Sequence, residues 1–329
     1  MAKHRIFITR TLFFLCFMLA PVIFPEYVKA APGRGNLYGT DPDDLIRINP
    51  NTGLGTFVGN IGDPGVPGFA IDPATGIAYG AFGAGADAIG TIDLNTGQAI
   101  LLGSLNLGVA VASALEFRED GVLFASVNIV ADGGSGGDHL AIIDTVTGAA
   151  TIIGSFGNCT GVVIPSEGDG SCTLDGIEAI AFDSAGNLWG SLRTSPSSAG
   201  TPGLYRINQN TGQATFVAPI LDSFGQPPPR GGVVSLQFEC DGTLYGGTAP
   251  SEQQSSDGGF LVTIDPDTGE FSFVGNTSAS DSGAALGGLS FDRSCTSEIP
   301  TLSEWGLIAM AGILGIIALL AVRRRKATA

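Results

Sequence analysis

The chain repeats one pattern of short strands five times, and this repetition constrains the fold more than any other feature. Each copy has a strand that ends in an aromatic residue, an apolar strand that runs into Asn or Asp, a Thr-Gly turn and a further apolar strand. The turn glycines are Gly53, Gly97, Gly148, Gly212 and Gly269. Their spacings of 44, 51, 64 and 57 residues are typical of four-stranded blades joined by loops of variable length.

We therefore predict an all-β fold, a five-bladed β-propeller over residues 31–295. A further apolar strand precedes every aromatic strand except the first, and the missing one appears after the fifth copy, at 288–292. We expect this C-terminal strand to complete blade 1 and close the ring, which removes open sheet edges. The aromatic residues at equivalent places are predicted to pack between blades. They are Tyr38, Tyr79, Phe124, Trp189 and Tyr245.

The first thirty residues predict export. They begin with basic residues, continue through an apolar run at 11–20 and end on small residues before Ala31. This order is typical of a secretory signal peptide, here cut after Ala30. An uncleaved N-terminal anchor is the alternative.

The C-terminus predicts a membrane span. The stretch 305–322 is apolar and free of charge, and its eighteen residues are near the minimum for a transmembrane helix. A basic tail follows at 323–329. Because basic flanks favour the cytoplasmic side, we expect the body to lie on the outer side of the membrane.

A short motif stands just before this span, in the linker 296–304. It reads Ile299, Pro300, Thr301 and Leu302, with Trp305 and Gly306 opening the apolar stretch. Motif, apolar helix and basic end together resemble the IPTL-CTERM sorting tail, a relative of the PEP-CTERM tails of exported proteins in Gram-negative bacteria. The resemblance implies an exosortase-like membrane protease as partner, a transient membrane anchor, and release or attachment at the cell envelope or outside the cell. A permanent single-pass anchor is the alternative.

The charge of the body argues against several classes of function. The stretch 31–298 holds seven arginines, no lysine and 29 of the 31 acidic residues, a formal charge of −22. Such a surface repels phosphate backbones and anionic lipids, so we predict no nucleic-acid binding. A body without lysine also cannot form a Walker-type phosphate loop or a lysine Schiff base.

Four cysteines remain once the signal peptide is removed, and in an exported protein they predict two disulfides. Three pairings are possible. We favour Cys159–Cys172 within one loop, and Cys240–Cys295 because each of these two follows the corresponding strand of neighbouring blades. Zinc is the alternative, but the spacing contains no CxxC and His139 is the one histidine of the body.

Carboxylates are the remaining candidates for a site. Asp41, Asp43 and Asp44 share one predicted loop, and Glu178 begins a strand predicted to line the central channel. A second acidic loop holds Glu167, Asp169 and Asp175. Such oxygen ligands could hold Ca²⁺, and two channel carboxylates could cleave a glycosidic bond. Neither loop has EF-hand spacing, and Asp in turns commonly accepts hydrogen bonds from the backbone.

One motif suggests a serine nucleophile. The run 133–137 matches the nucleophile-elbow pattern around Ser135, with Asp138 and His139 beside it. An elbow requires a strand that leads directly into a helix, whereas this run is a polar loop between two blade strands. We therefore predict no hydrolytic site there.

The function we predict is non-catalytic, in an exported protein of the cell envelope or extracellular matrix. Its loops or channel mouth would face a glycan, a polymer or a protein partner. The alternative is a carboxylate-based or calcium-dependent secreted hydrolase acting on polysaccharide, with Ca²⁺ as the one cofactor considered. The repeats resemble bacterial propellers that carry LYG and ID-x-x-TG signatures, a resemblance that implies no activity.

Overall fold

The computed structural model describes residues 35–41, 43–62, 65–82, 87–108, 110–129, 137–157, 176–193, 202–228, 232–248, 259–277 and 285–292. These ranges form twenty β-strands in five antiparallel sheets of four strands each. None of them contains a helix long and apolar enough to cross a membrane. The predicted signal peptide, sorting motif and membrane span lie outside the described residues.

The strands follow the repeat. In chain order they are β1 (Leu37–Asp41), β2 (Asp44–Ile48), β3 (Gly55–Asn60), β4 (Phe69–Ile71), β5 (Ala78–Phe82), β6 (Ala88–Ile92), β7 (Ala99–Ser104), β8 (Val111–Phe117), β9 (Leu123–Asn128), β10 (His139–Ile143), β11 (Ala150–Ser155), β12 (Ile177–Phe182), β13 (Leu188–Leu192), β14 (Gly203–Ile207), β15 (Ala214–Ala218), β16 (Val233–Phe238), β17 (Leu244–Thr248), β18 (Phe260–Ile264), β19 (Phe271–Asn276) and β20 (Gly288–Phe291).

Each sheet is one blade of a five-bladed propeller. Blade 1 has the strand order β20-β1-β2-β3, and blades 2 to 5 take β4 to β7, β8 to β11, β12 to β15 and β16 to β19. The inner strands β4, β8, β12, β16 and β20 contact one another in that order, and β20 contacts β4. The ring is therefore closed. We call the end at which the inner strands begin the loop face, and the opposite end the turn face.

The C-terminal strand closes the ring as predicted. It pairs antiparallel with β1, from Leu37 opposite Phe291 to Thr40 opposite Gly288. Beyond the strands, Asn36 Nδ2 donates to Asp292 Oδ2 at 2.7 Å. The sheet containing Tyr38 is thus built from the two ends of the body.

The repeated aromatic residues form the core between blades, which confirms their predicted role. Four of them contact the phenylalanine that ends the inner strand of the next blade, with ring centroids 5.3 to 6.1 Å apart. The pairs are Tyr79 with Phe117, Phe124 with Phe182, Trp189 with Phe238, and Tyr245 with Phe291. In the remaining interface, Tyr38 lies in a buried cluster with Ile71. Tilted and edge-on ring contacts of this kind stabilise a core beyond the area they bury.

The Thr-Gly turns are built by local hydrogen bonds and a glycine backbone. The Asn or Asp that opens each turn accepts from the backbone N–H two residues on, at 2.7 to 2.9 Å. The turn glycines have φ between 72° and 80°, a region that disfavours side chains. The carboxylates and amides that open these turns are therefore structural, as expected from their place in the repeat.

The same turns cover the outer strand of the preceding blade. At Gly59 in β3, a Cβ would lie 1.9 Å from the carbonyl oxygen of Thr96 in the turn of blade 2. Gly103, Gly154 and Gly275 make the same close approach to turns of the next blade. In blade 4 the equivalent residue is Ala218, which contacts Gly269. The glycine near the end of most outer strands is therefore required by the contact between blades.

Buried hydroxyl groups join the second strand of one blade to the inner strand of the next. Thr40 donates to the Val66 carbonyl at 2.8 Å, Ser126 to Ile177 at 2.7 Å and Ser191 to Val233 at 2.9 Å. In blade 5 the equivalent residue is Gly247, and Ser235 of the inner strand donates instead to Leu286 at 2.7 Å. These hydroxyls donate to carbonyls at or next to the edge strand of the next blade, where the Ile177 carbonyl also accepts from the Gly137 amide at 3.0 Å.

We expect the Ser191→Ala variant to lose about 1 to 3 kcal/mol of unfolding free energy, because it leaves the buried Val233 carbonyl without its donor. Urea unfolding followed by tryptophan fluorescence measures this loss. Ser272→Ala removes an exposed hydroxyl from β19 and is the matched control, expected to change stability by less than about 0.5 kcal/mol. Equal stability of the two variants would contradict a stabilising role for the hydrogen bond from Ser191 to the Val233 carbonyl.

Candidate functional site

The centre of the ring is closed by apolar side chains. Every inner strand contributes to the lining of a central cavity of about 10 Å³, the space of a single water molecule, and each provides one apolar residue at the same position. The five equivalent residues are Phe69, Leu115, Ile180, Leu236 and Leu289. No sugar unit fits in a cavity of this size. A ligand of the ring can therefore be bound at a mouth of the channel but not within it.

Glu178 lies at the loop-face end of this cavity, which confirms the prediction that its strand lines the channel. The β12–β13 register shifts between Ile177 and Ala179, so Glu178 is the extra residue of a β-bulge. Such bulges re-aim a side chain, here toward the cavity that Glu178 lines. Its Oε1 atom lies 2.6 Å from Nε of Arg193, which follows β13.

The ion pair with Arg193 holds the Glu178 carboxylate in place. The Glu178 side chain is 9% exposed and that of Arg193 is 22% exposed, so the pair lies at the boundary of the core. A carboxylate bound to a guanidinium at this distance forms a strong charge-assisted hydrogen bond. It ties blade 4 together at the channel mouth. Arg193 has no motif or repeat position that would single it out in the sequence.

A second carboxylate lies near the turn-face end of the channel and was not anticipated from the sequence. Glu116 in β8 is 5% exposed, and its Oε1 accepts from the Phe182 amide and from Gln237 Nε2, both at 3.4 Å. Burial raises the pKa of the Glu116 carboxyl to about 8, and the two hydrogen bonds only partly offset that rise. Glu116 is therefore a neutral acid at neutral pH.

A protonated Glu116 matches the hydrogen-bonding groups of Gln237. Gln237 belongs to blade 5 and Glu116 to blade 3, so their contact crosses the inner end of blade 4. Gln237 Oε1 is buried and accepts no hydrogen bond from the part of the chain that the structure describes. A protonated Glu116 can donate to an acceptor of this kind while Gln237 Nε2 donates back. Three of the four equivalent residues in the other inner strands are small, namely Ala70, Ala181 and Ser290, and the fourth is Gln237 itself. A glutamate and a glutamine at this position were the signal that sequence reasoning missed.

Glu116 makes stability depend on pH. Its folded-state pKa of about 8 lies above the ordinary value of 4.5, so the stability it contributes is complete below pH 4.5 and is lost as the pH rises to 8. For one proton the slope is about 1.4 kcal/mol per pH unit at most. We expect Glu116→Gln to flatten the dependence of Tm on pH between 5 and 8, measured by thermal denaturation.

The control for this experiment is Glu119→Gln, which changes an exposed carboxylate two residues beyond β8. It should keep the pH dependence of the parent. A parent protein whose Tm does not fall between pH 5 and 8, or a Glu116→Gln variant that falls equally, contradicts the assignment of a neutral buried acid.

The acidic residues of blade 1 form a tight hairpin rather than a loop. Asp41 ends β1 and is fully buried, and it pairs in register with Asp44 at the start of β2. Asn60 Nδ2 donates to Asp43 Oδ2 at 3.2 Å and to Asp44 Oδ1 at 3.0 Å. The expectation that all three share a loop is thus wrong for Asp41 and Asp44, because strand pairing extends to both.

Calcium binding stays a prediction for these residues. Glu178 belongs to blade 4, which is not adjacent to the blade 1 hairpin. Among the described residues, no group of three His, Cys, Asp or Glu side chains could hold a metal ion. The second acidic loop, with Glu167, Asp169 and Asp175, lies outside the described ranges.

The structure brings Asp138 and His139 close together at the loop face. His139 Nδ1 lies 3.0 Å from Asp138 Oδ1, although the contact lacks hydrogen-bond geometry. The Asp138 Oδ1 atom instead accepts from the Ile129 amide at 3.0 Å. The preceding residue forms an antiparallel bridge to Ile177, so the chain enters a strand here and not a helix. Ser135 lies outside the described residues, and the pair gains no nucleophile from those that are described.

Of the four cysteines in the body, one is described. Cys240 follows β16 at the turn face and is disulfide-bonded. Cys159, Cys172 and Cys295 lie outside the described residues, so the pairing stays a prediction.

Comparison with known proteins identifies the tail. Residues 299–325 match the IPTL-CTERM motif. This motif implies export, sorting to the surface or envelope, and processing by an exosortase-like protein. It covers the sorting residues predicted from the sequence, which lie outside the described part of the structure. No curated protein matches the chain.

Solved structures similar to the chain are distant in sequence. A chain of a nidogen–laminin complex is 11% identical with a TM-score of 0.48, over 79% of this chain and 99% of that one. A gluconolactonase from Xanthomonas campestris is 14% identical with a TM-score of 0.41, over 74% and 77%. A PQQ-bound aldose sugar dehydrogenase from Streptomyces coelicolor is 14% identical with a TM-score of 0.37, over 74% and 78%. The strand order of the chain itself makes it an all-β five-bladed propeller, and an IPTL-CTERM sorting motif follows.

Proposed function

We propose that this protein is exported, cut by an exosortase-like protease at its C-terminal tail, and held at the cell envelope or in the extracellular matrix as a non-catalytic propeller. The observation that carries the proposal is the sorting motif at 299–325. It follows the strand that closes the ring, β20, by seven residues. The ring is therefore complete before the tail begins.

The direction in which the chain leaves the ring supports a binding role for the loop face. β20 ends at the turn face, because its last residue Phe291 pairs with Leu37 at the start of β1. The tail is thus attached on the turn-face side. The loop face lies at the opposite end of the ring, and the longest connections, such as that from β11 to β12, begin and end there. We place contact with a glycan, polymer or protein partner on that face.

The channel carboxylates support a structural role in preference to a catalytic one. Glycosidases need two carboxyl groups on either side of a bound sugar. Here Glu178 forms an ion pair with Arg193, and Glu116 is bonded to the backbone of β12 and to Gln237. The cavity between them holds about one water. The geometry thus ties Glu178 within blade 4 and ties Glu116 to blades 4 and 5.

Intact-mass spectrometry of the protein purified from its own envelope fraction tests the sorting proposal. We expect a mass that lacks both the segment before Ala31 and the apolar stretch 305–322, because a sorting protease removes the span. Pro300→Ala with Thr301→Ala should keep the span and stay in the membrane fraction. A parent protein that retains residues 305–329 would show a permanent anchor instead.

Reducing-sugar release from a panel of polysaccharides, with and without Ca²⁺, tests the non-catalytic role. We expect no release by the parent, since Glu178 is held in an ion pair with Arg193 and Glu116 is buried against the Phe182 amide and Gln237. Release that disappears in Glu178→Gln and persists in the exposed control Glu119→Gln would establish the hydrolase alternative and overturn the proposal.

A further inference from the structure

The outer rim of the propeller carries no charge, although the body is strongly acidic. The outer strands β3, β7, β11, β15 and β19 each pair on one side only. Their residues include no Asp, Glu, Lys or Arg. Proteins protect such edges with charged side chains or β-bulges, because an open strand edge can pair with another chain. Each of these outer strands has a β-bulge against its neighbour but lacks the charge. The five rims are therefore surfaces on which two acidic copies could approach without facing like charges.

Blade 2 has the most apolar of these rims. Ile100, Leu101 and Leu102 are consecutive in β7, and their exposed fractions are 68%, 62% and 36%. The residue equivalent to Ile100 carries a hydroxyl in every other outer strand. These residues are Thr56, Thr151, Thr215 and Ser272.

Leu101 also lacks the cross-strand cover that its equivalents have. It pairs in register with Gly90 of β6. In the other blades the pairs are Ile46 with Phe57, Ala141 with Ile152, Tyr205 with Phe216, and Val262 with Phe273. A Cβ at Gly90 would lie 2.6 Å from the Ile100 carbonyl oxygen and 2.9 Å from the Phe82 ring, so the glycine is required. Leu101 is thus an apolar side chain with no neighbour across the sheet.

We propose that β7 is a self-association surface, on which a second copy of this chain adds its own β7 in antiparallel register centred on Leu101. A twofold axis at Leu101 sets the two Leu101 residues opposite each other across the joined strands. In the same register Ile100 of each copy lies opposite Leu102 of its partner, which is the extra residue of a β-bulge in β7. Every exposed apolar side chain of the strand gains an apolar neighbour, and such a self-complementary patch is what a twofold dimer needs.

The lack of charge favours a second copy over other partners. A basic or acidic partner would find no countercharge on β7, whereas an identical strand matches it in charge and hydrophobicity. A contact of two six-residue strands is smaller than a standard interface, so the dimer is weak in dilute solution. The expectation that the dimer forms in the cell rests on the proposed function, because a high local concentration of copies at the envelope raises the fraction that is paired.

Disulfide cross-linking of the full chain in the exporting cell tests the proposal. In Leu101→Cys, opposed Cβ atoms of an antiparallel pair come within disulfide reach. Phe273→Cys is the matched control, because Phe273 is the equivalent residue of β19 and is 54% exposed. We expect at least about tenfold more covalent dimer from Leu101→Cys on a non-reducing gel, since paired strands keep the two thiols at high effective concentration.

A second variant tests whether the covalent dimer depends on the pairing of the two β7 strands. Ile100→Asp added to Leu101→Cys places carboxylates against Leu102 of the partner and should lower the dimer to the level of Phe273→Cys. Equal dimer from Leu101→Cys and Phe273→Cys, no dimer, or a cross-link to a protein of different mass would each overturn the proposal. Fractionation of the same cells reports on sorting, so a failure of the proposed location is distinguishable from a failure of the dimer.

Discussion

The two free edges of each blade impose the constraint on which the rest of the structure depends. A sheet of four strands turns backbone groups outward at both its inner and its outer strand, and such groups need partners when they are buried. At the inner edge, hydroxyls such as Ser126 and Ser191 reach across to carbonyls of the next blade. Beside the outer strand, the Thr-Gly turn of the next blade covers the glycine near the end of the strand. The first residue of β11 donates to the Leu105 carbonyl just after β7 at 2.9 Å, whereas the middle of β7 stays exposed. Interfaces between blades are therefore held by backbone polar groups as well as by aromatic rings.

Much of this was readable from the sequence because the repeat records contacts that every blade must make. The turn glycines, the aromatic of the second strand and the displaced strand at 288–291 recur for steric reasons, and all three predictions are confirmed. The polar contacts near the axis could not be predicted in the same way. Arg193 and Gln237 occur in one blade each, and only the closed ring brings Gln237 within 3.4 Å of Glu116. Contacts made once, between residues far apart in sequence, leave no periodic signal.

In the blade 1 hairpin, a local sequence signal gave a wrong prediction. Three aspartates within four residues suggested a loop, because Asp favours turns. The ladder nevertheless runs through Asp41 and Asp44, and Asn60 of β3 binds the exposed carboxylates. Strand pairing imposed by the blade overrode the local preference, as tertiary context often does.

Glu178 and Glu116 are both carboxyl groups with little access to water, but they are stabilised in different ways. The difference follows from their neighbours. At the loop face a guanidinium reaches Glu178, and the acid is paired as an ion. Near the turn face the described neighbours of Glu116 are a backbone amide and a neutral amide side chain, so burial favours the protonated acid. Both arrangements satisfy the carboxyl group through a neighbouring strand or blade. A catalytic pair must instead keep one carboxyl open to substrate, and an apolar ring with room for one water separates these two. The centre of this propeller is thus packed as a core.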